Sequence, residues 1–342
     1  MSHIQTNRSK SVAAMPVAAA FILVLFSLIF TQEASACAAC GCLVSKDWQA
    51  QGISSEPGWT VGLTYDYIKQ DRQSIGRDTS STTIQLLNNN PNASEVEQLT
   101  TTAITTLNVN YNSTDWGVDL QLPYVARYHE TYNPAFNTSQ SNTIGDARVL
   151  GRFSGSEDGS FGVILGVKLP TGPIDATFSD GITPLDRSLQ PGTGSSDFIM
   201  GVYKSGQVAK YGWFVQGMYQ TALATKSDTN NGGDYKPGDS KSLNVGIRYA
   251  TFGQRIVPML QLNMISRLAD SGTAATPLLT GGDLVYLTPG ISARIWGGTT
   301  AFAFLQVPLY QNVNASDPNG ALGTGSQLTP QRILSFGIRH SF

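Results

Sequence analysis

The chain has 342 residues, of which only 13% are charged, and a formal net charge of −2. That balance excludes the basic face that nucleic-acid binding needs. Length alone admits two domains, but large β-barrels run as one. Thirty-five glycines with abundant Asn, Ser and Thr suit a barrel whose lipid-facing apolar residues alternate with small polar ones inside.

The first 36 residues read as a secretory signal. Arg8 and Lys10 form a basic n-region, 17–30 is an apolar run, and Ala34-Ser35-Ala36 is a small-residue cleavage site before Cys37. The run falls short of the ~20 apolar residues a spanning helix wants. The mature chain is therefore expected to be exported, with 20 basic and 23 acidic residues left of the original 22 and 24. Any membrane role then falls to strands.

Residues 37–57 form a short periplasmic segment that opens Cys37-Ala38-Ala39-Cys40-Gly41-Cys42 and holds all 3 cysteines. Three readings compete: a Cys37–Cys40 disulfide with Cys42 free, lipidation of Cys37, and a thiolate metal or cluster site on Cys37, Cys40 and Cys42 with an outside ligand. Covalent haem is disfavoured, because no Cys-x-x-Cys-His occurs. No cofactor is otherwise implied.

From 58 to 342 the chain falls into about twelve alternating segments: 59–68, 101–112, 116–128, 144–153, 161–169, 197–204, 211–221, 241–249, 255–267, 284–296, 299–310 and 332–342. Each is near the length of a tilted transmembrane strand. In the first, Trp59, Val61, Leu63, Tyr65 and Tyr67 share a face; in the last, Leu334, Phe336, Ile338, His340 and Phe342 do. Links after even-numbered strands are short and links after odd-numbered ones long and polar. This predicts an all-β, transmembrane, antiparallel up-and-down barrel with short periplasmic turns, long extracellular loops and both ends on the short-turn side. Trp59, Trp116, Phe153, Phe161, Tyr211, Trp213, Tyr249, Trp296 and Phe342 fall near the short turns, as an interfacial girdle would. Pro123, Pro258 and Pro289 lie inside predicted strands and point to bulges or a missed register. A last strand ending on Phe342 resembles the tag read by the barrel assembly machinery of Gram-negative outer membranes. The partners expected are therefore that machinery, outer-membrane lipid and a small-molecule solute, with no nucleic acid.

The opposite faces define a lumen lined by Asp66, Asp119, Arg127, Asp146, Arg148, Arg152, Lys168, Asp197, Arg248, Arg294 and Arg339. Buried charges are costly unless paired or wet, so these either fill the barrel as ion-pair networks or line water. Twelve strands lie between the filled eight-stranded barrel and the open 16-stranded porin. Tyr203, Phe214, Met218, Tyr286, Phe302, Phe304 and Tyr310 add aromatic and sulfur groups inside, which suit an amphipathic solute or a packed plug. The loop 69–100, with Ile84, Leu86 and Leu87, either folds into the mouth or lies on the surface. Beyond the signal only His129 and His340 could act as a base. His340 faces lipid, His129 starts a predicted outer loop, and no nucleophile-elbow sequence accompanies either, so no enzyme is expected.

Three blocks carry a family resemblance: Gly145-Asp146-Ala147-Arg148, Gly166-Val167-Lys168-Leu169-Pro170-Thr171-Gly172 and Gln190-Pro191-Gly192-Thr193-Gly194-Ser195-Ser196-Asp197, joined by Leu287-Thr288-Pro289-Gly290. They resemble the outer-membrane family linked to the meta-pathway of phenol degradation. The resemblance implies a monomeric barrel passing hydrophobic or aromatic compounds, and supplies no catalytic motif. By geometry, Pro170 and Gly172 end a strand, and Gly192 and Gly194 allow positive φ in a tight re-entry. The function expected is an outer-membrane channel for small solutes. The rival is a scaffold barrel whose N-terminal cysteines bind metal or a periplasmic electron-transfer partner.

Overall fold

The computed structural model describes residues 57–80, 96–133, 135–228, 233–250, 255–314 and 327–342. The signal, the 37–57 segment with its three cysteines, and Ile84, Leu86 and Leu87 lie outside them, apart from Pro57.

Strands dominate, and no α-helix occurs among the described residues. They are β1 Gly58–Ile75, β2 Val96–Asn112, β3 Trp116–Asn133, β4 in two pieces (Ala135–Ile144 and Ala147–Ser154), β5 Phe161–Leu169, β6 Asp197–Val208, β7 Tyr211–Ala222, β8 Ser240–Tyr249, β9 Ile256–Arg267, β10 Gly282–Trp296, β11 Thr299–Val313 and β12 Gln327–Ser341. Each pairs antiparallel with its sequence neighbours, and β12 pairs with β1, so twelve strands close into a barrel without an open edge. Closure is sealed at the short-turn end by the Phe342 amide, which donates to the Trp59 carbonyl at 2.9 Å.

Alternation sorts the side chains. Along β5, Phe161, Val163, Leu165, Val167 and Leu169 are exposed outward, while Ile164 and Lys168 are buried inward. The same apolar exterior runs round the wall through Leu63, Leu122, Val202, Ile247 and Ile338. Of the expected girdle, Trp59, Trp116, Phe153, Phe161, Tyr211, Tyr249, Trp296 and Phe342 are exposed at the short-turn ends, and Trp213 is half-buried. Tyr111 lies between Trp59 and Trp116, with ring centroids at 5.0 and 5.4 Å. Amphipathic rings in this position suit a membrane–water boundary.

On the long-loop side the strands outrun the sequence prediction. β1 reaches Ile75 and β2 begins at Val96, so much of the expected 69–100 loop is strand. The expected loop after the third strand is instead a hairpin, with the outer piece of β4 paired to β3 from Tyr124–Ile144 to Asn133–Ala135. His129 consequently sits inside β3, buried and bonded through Nδ1 to Thr100 Oγ1 at 2.9 Å, rather than at the start of a loop.

The strand prolines sit in the ladder as follows. Pro123 has no N–H to give, and β4 breaks opposite it, with Gly145 donating to the Pro123 carbonyl at 2.8 Å. Pro289 falls where the β10–β11 pairing is interrupted between Leu287–Val307 and Gly290–Phe304. Pro258 keeps its place opposite Ile291. Another discontinuity is larger: β11 and β12 pair from Thr299–His340 only as far as Gln306–Ile333, and above that point the two strands part.

Candidate functional site: the barrel lumen and its infolded loop

Four inward aromatics occupy the short-turn half, and each lies over a glycine of a neighbouring strand. Phe302 is paired with Gly337, Phe304 with Gly290, Phe214 with Gly246 and Tyr203 with Gly162. A Cβ on Gly337 would stand 2.1 Å from the Phe302 ring, and one on Gly246 2.2 Å from the Phe214 ring. Glycine on the inner face thus lets the rings lie along the wall instead of projecting across the lumen. Phe302 and Phe304 stack side by side with centroids 5.8 Å apart.

Basic groups stand at the short-turn mouth. Arg152 is buried and donates to Tyr203 Oη at 3.1 Å and to the Ser113 carbonyl at 3.1 Å. Arg248, Arg294 and Arg339 occupy inward register positions near the ends of β8, β10 and β12; the first two are exposed and Arg339 is half-buried. Asp119 is buried on the inner face of β3, where Gln121 donates to it at 2.6 Å. Asp66, inward on β1, accepts a hydrogen bond from Ser335. Farther toward the long loops an apolar cluster of Ile68, Ile104, Val125, Leu284, Tyr286 and Ile333 lies within the wall.

The three family-like blocks converge at one point, although they come from three places in the chain. Lys168 on β5, nearly fully buried, reaches Asp197 Oδ2 at 2.9 Å and Asp146 Oδ2 at 3.2 Å. Asp146, in the break of β4, accepts from the amides of Gly172 at 3.1 Å and Thr193 at 2.9 Å and from the Thr193 hydroxyl at 2.7 Å. Asp197 accepts from Ser195 at 2.7 Å and Gln220 at 2.6 Å. Both carboxylates are thereby tied to an ammonium and to neutral donors, the condition under which buried charge is tolerated. Asp146, one of the residues expected to line the lumen, lines a cavity beneath the loop 170–196 and grips both ends of that loop.

That loop folds inward, burying Leu185, Arg187, Leu189 and Gln190. The sequence left open whether 69–100 folds inward, and 81–95 lie outside the described residues; the loop that Asp146 and Asp197 anchor is a different one. Gln190 ties the loop to itself through the backbone of Ala176 at 2.9 and 3.0 Å and the Leu185 carbonyl at 2.9 Å. Arg127 on β3 donates to the carbonyls of Leu189 and, at 3.2 Å, Gln190. Gly194 has φ +69°, the left-handed value expected of it; Gly192 is needed for a different reason, because its backbone touches that of Gly172. Two other outer loops meet this one. Arg187 stacks on the Tyr235 ring at 4.7 Å, Tyr235 donates to Asp270 at 2.6 Å, and Asp270 pairs with Arg267.

Between this loop, the inner faces of β1–β9 and the outer loop carrying Tyr235 lies a cavity of about 150 Å³. A single water needs only ~10–15 Å³ on that measure, so the space is far larger than a hydration site. Its lining brings together Asp66, Arg127, Asp146, Arg148, Lys168 and Asp197 of the expected lumen set. It does not include Asp119, Arg152, Arg248, Arg294 or Arg339. Arg187, Gln190, Thr193 and Tyr235 also line it. For Gln190 and Thr193 the Gln-Pro-Gly-Thr-Gly block was a sequence signal; for Arg187 and Tyr235 there was none. Among the described residues no cluster of three or more His, Cys, Asp or Glu could hold a metal.

No family model and no curated protein matches the sequence. Solved structures do match. An outer-membrane channel of Pseudomonas putida F1 superposes with a TM-score of 0.61 at 12% identity, over 88% of this chain and 100% of that one. A Pseudomonas aeruginosa FadL homologue gives 0.43 at 9% identity, over 91% and 100%. The transport unit of the Escherichia coli autotransporter AIDA-I gives 0.44 at 10%, over 89% and 95%. The first establishes the fold as that of a bacterial outer-membrane β-barrel; the other two carry no further argument.

Proposed function

We propose that this barrel is an outer-membrane channel for small solutes of hydrophobic or aromatic character. The observation that carries the reading is the cavity inside the wall, in which Ile104, Pro123 and Val125 stand beside charged side chains. Small-molecule sites are typically concave and apolar with a few placed polar groups. Tyr203, Phe214, Phe302 and Phe304 add a buried aromatic layer inside the short-turn half. The blocks that resemble the phenol meta-pathway family build the anchor of the infolded loop, and the fold match to a channel of Pseudomonas putida F1 supports a channel over an enzyme.

The test uses the exported chain beginning at Cys37, refolded and checked by heat-modifiable gel mobility. Discrete conductance steps in a planar bilayer are expected, together with faster entry of radiolabelled phenol into proteoliposomes than into vesicles holding heat-unfolded protein. A folded barrel that neither conducts nor speeds phenol entry would overturn the reading and leave the scaffold role through Cys37, Cys40 and Cys42.

A further inference from the structure

The lining of the cavity is unbalanced. Five basic side chains face it, Arg127, Arg148, Lys168, Arg187 and Arg267, against three acids, Asp66, Asp146 and Asp197. The acids are engaged: Asp146 and Asp197 hold Lys168 and the loop, and Asp66 accepts from Ser335. Arg267 is held by Asp270. Arg148 differs. It stands on the inner face of β4, opposite Gln121 on one side and Lys168 on the other, and is half-buried at the cavity wall. Among the described residues it has no ion pair and no side-chain hydrogen bond.

Lys168 cannot supply the counter-charge for Arg148, being a cation itself; Asp146 and Asp197 already serve Lys168, and Asp119, the diagonal neighbour of Arg148 on β3, accepts from Gln121. A guanidinium in this position is a fixed fork of donors suited to two oxygens of one anion. The wall beside it is apolar, formed by Ile104, Pro123 and Val125. The cavity volume of about 150 Å³ is large enough to accept one benzene ring.

We propose that the cavity is a binding site for a small aromatic carboxylate, with the carboxylate on Arg148 and the ring against Ile104, Pro123 and Val125. This rests on the channel reading for its purpose, since it names the class of solute carried. It does not rest on it for its test, because binding is measured without transport.

The experiment is isothermal titration of the exported chain, folded in detergent, with benzoate, benzyl alcohol and acetate as probes. Saturable benzoate binding is expected, with benzyl alcohol and acetate each about tenfold or more weaker, since one lacks the charge-assisted bonds and the other the ring. Arg148→Gln should weaken benzoate to the level of benzyl alcohol and leave benzyl alcohol unchanged; Arg148→Lys, lacking the fork, should recover only part. Ile104→Asn should weaken benzoate and leave acetate unchanged. Equal affinity for benzoate and benzyl alcohol, equal affinity for benzoate and acetate, benzoate binding untouched in Arg148→Gln, or no saturable benzoate binding by a verified fold overturns the proposal. Conductance with no benzoate site sinks this inference alone; a benzoate site in a barrel that passes nothing sinks the channel reading alone.

Discussion

Gly172 and Gly192 meet backbone to backbone across the two ends of the infolded loop. A Cβ on Gly192 would lie 2.1 Å from the Gly172 carbonyl oxygen, and one on Gly172 would lie 2.7 Å from the Gly192 Cα. Neither neighbour is the tip of a flexible side chain, so nothing can swing aside. Gly192→Ala should therefore lift the loop from its anchor rather than be absorbed locally. The expected outcome is cleavage within 170–196 by trypsin, at Arg187, at protease levels that leave the parent chain intact, with the barrel itself still resistant.

Lys168 is the cation shared by two buried carboxylates. Lys168→Met would leave Asp146 and Asp197 facing each other without it, a loss of about 3–5 kcal/mol by the rule for one-sided removal of a buried partner. Replacing all three, Lys168→Met with Asp146→Asn and Asp197→Asn, should recover a large part. Urea unfolding in lipid vesicles, followed by tryptophan fluorescence, reads both values.

The pairing of Phe302 with Gly337 makes a prediction in which the second substitution cures the first. Gly337→Ala should cost about 1–3 kcal/mol, because the new methyl group enters the ring position. Phe302→Leu in the same chain should reduce that penalty. A double-mutant cycle showing purely additive costs would contradict the contact.

Asp180 lies at the exposed turn of the infolded loop and accepts from the amides of Ile182 and Thr183, both at 2.9 Å, and from the Thr183 hydroxyl at 2.5 Å. The Thr183 hydroxyl, then the two amides, hold its carboxyl below the usual carboxylate range. A depressed acid contributes stability that is present above its unfolded value, here the ordinary 3.8, and is lost as pH falls through the folded one. Hydrogen exchange at Ile182 and Thr183, corrected for the intrinsic pH dependence of exchange, should quicken below pH ~4. In Asp180→Asn that acid-dependent step should vanish.

Much of the architecture was legible because lipid and lumen impose opposite demands on alternate residues. Where a strand has lipid on one face, as in β5, its bounds at Phe161 and Leu169 could be read from the sequence. Above the lipid the contrast disappears. Gln70, Gln73, Ser74, Thr100 and Thr131 are buried in extended strand, yet a run of such residues reads as loop. The outer piece of β4, Ala135-Phe136-Asn137-Thr138-Ser139-Gln140-Ser141-Asn142-Thr143-Ile144, is strand because β3 offers it a partner, which its own composition does not announce. The inward position of Lys168 and Asp197 was likewise readable from period two, whereas Asp146 stands in the break of β4, where that period is interrupted. That the three grip a loop was not readable, since the grip joins residues from β4, β5 and β6 to Thr193 and Gly172, and long-range pairing leaves no periodic trace.

The parting of β11 and β12 above Gln306 and Ile333 has a consequence for how the barrel comes together. β12 is held by β11 along its lower part only, whereas its ladder with β1 runs from Thr60–Ser341 to Ser74–Gln327. The final hairpin is thus a weak local unit, and the strand that completes the wall depends on residues 281 positions away in sequence, as in the Thr60–Ser341 contact. Loop-closure entropy must be met before such a ladder returns any stability, which makes folding slow. Without β1 the upper half of β12 has no template, so a chain lacking β1 would leave that half of the last strand unpaired.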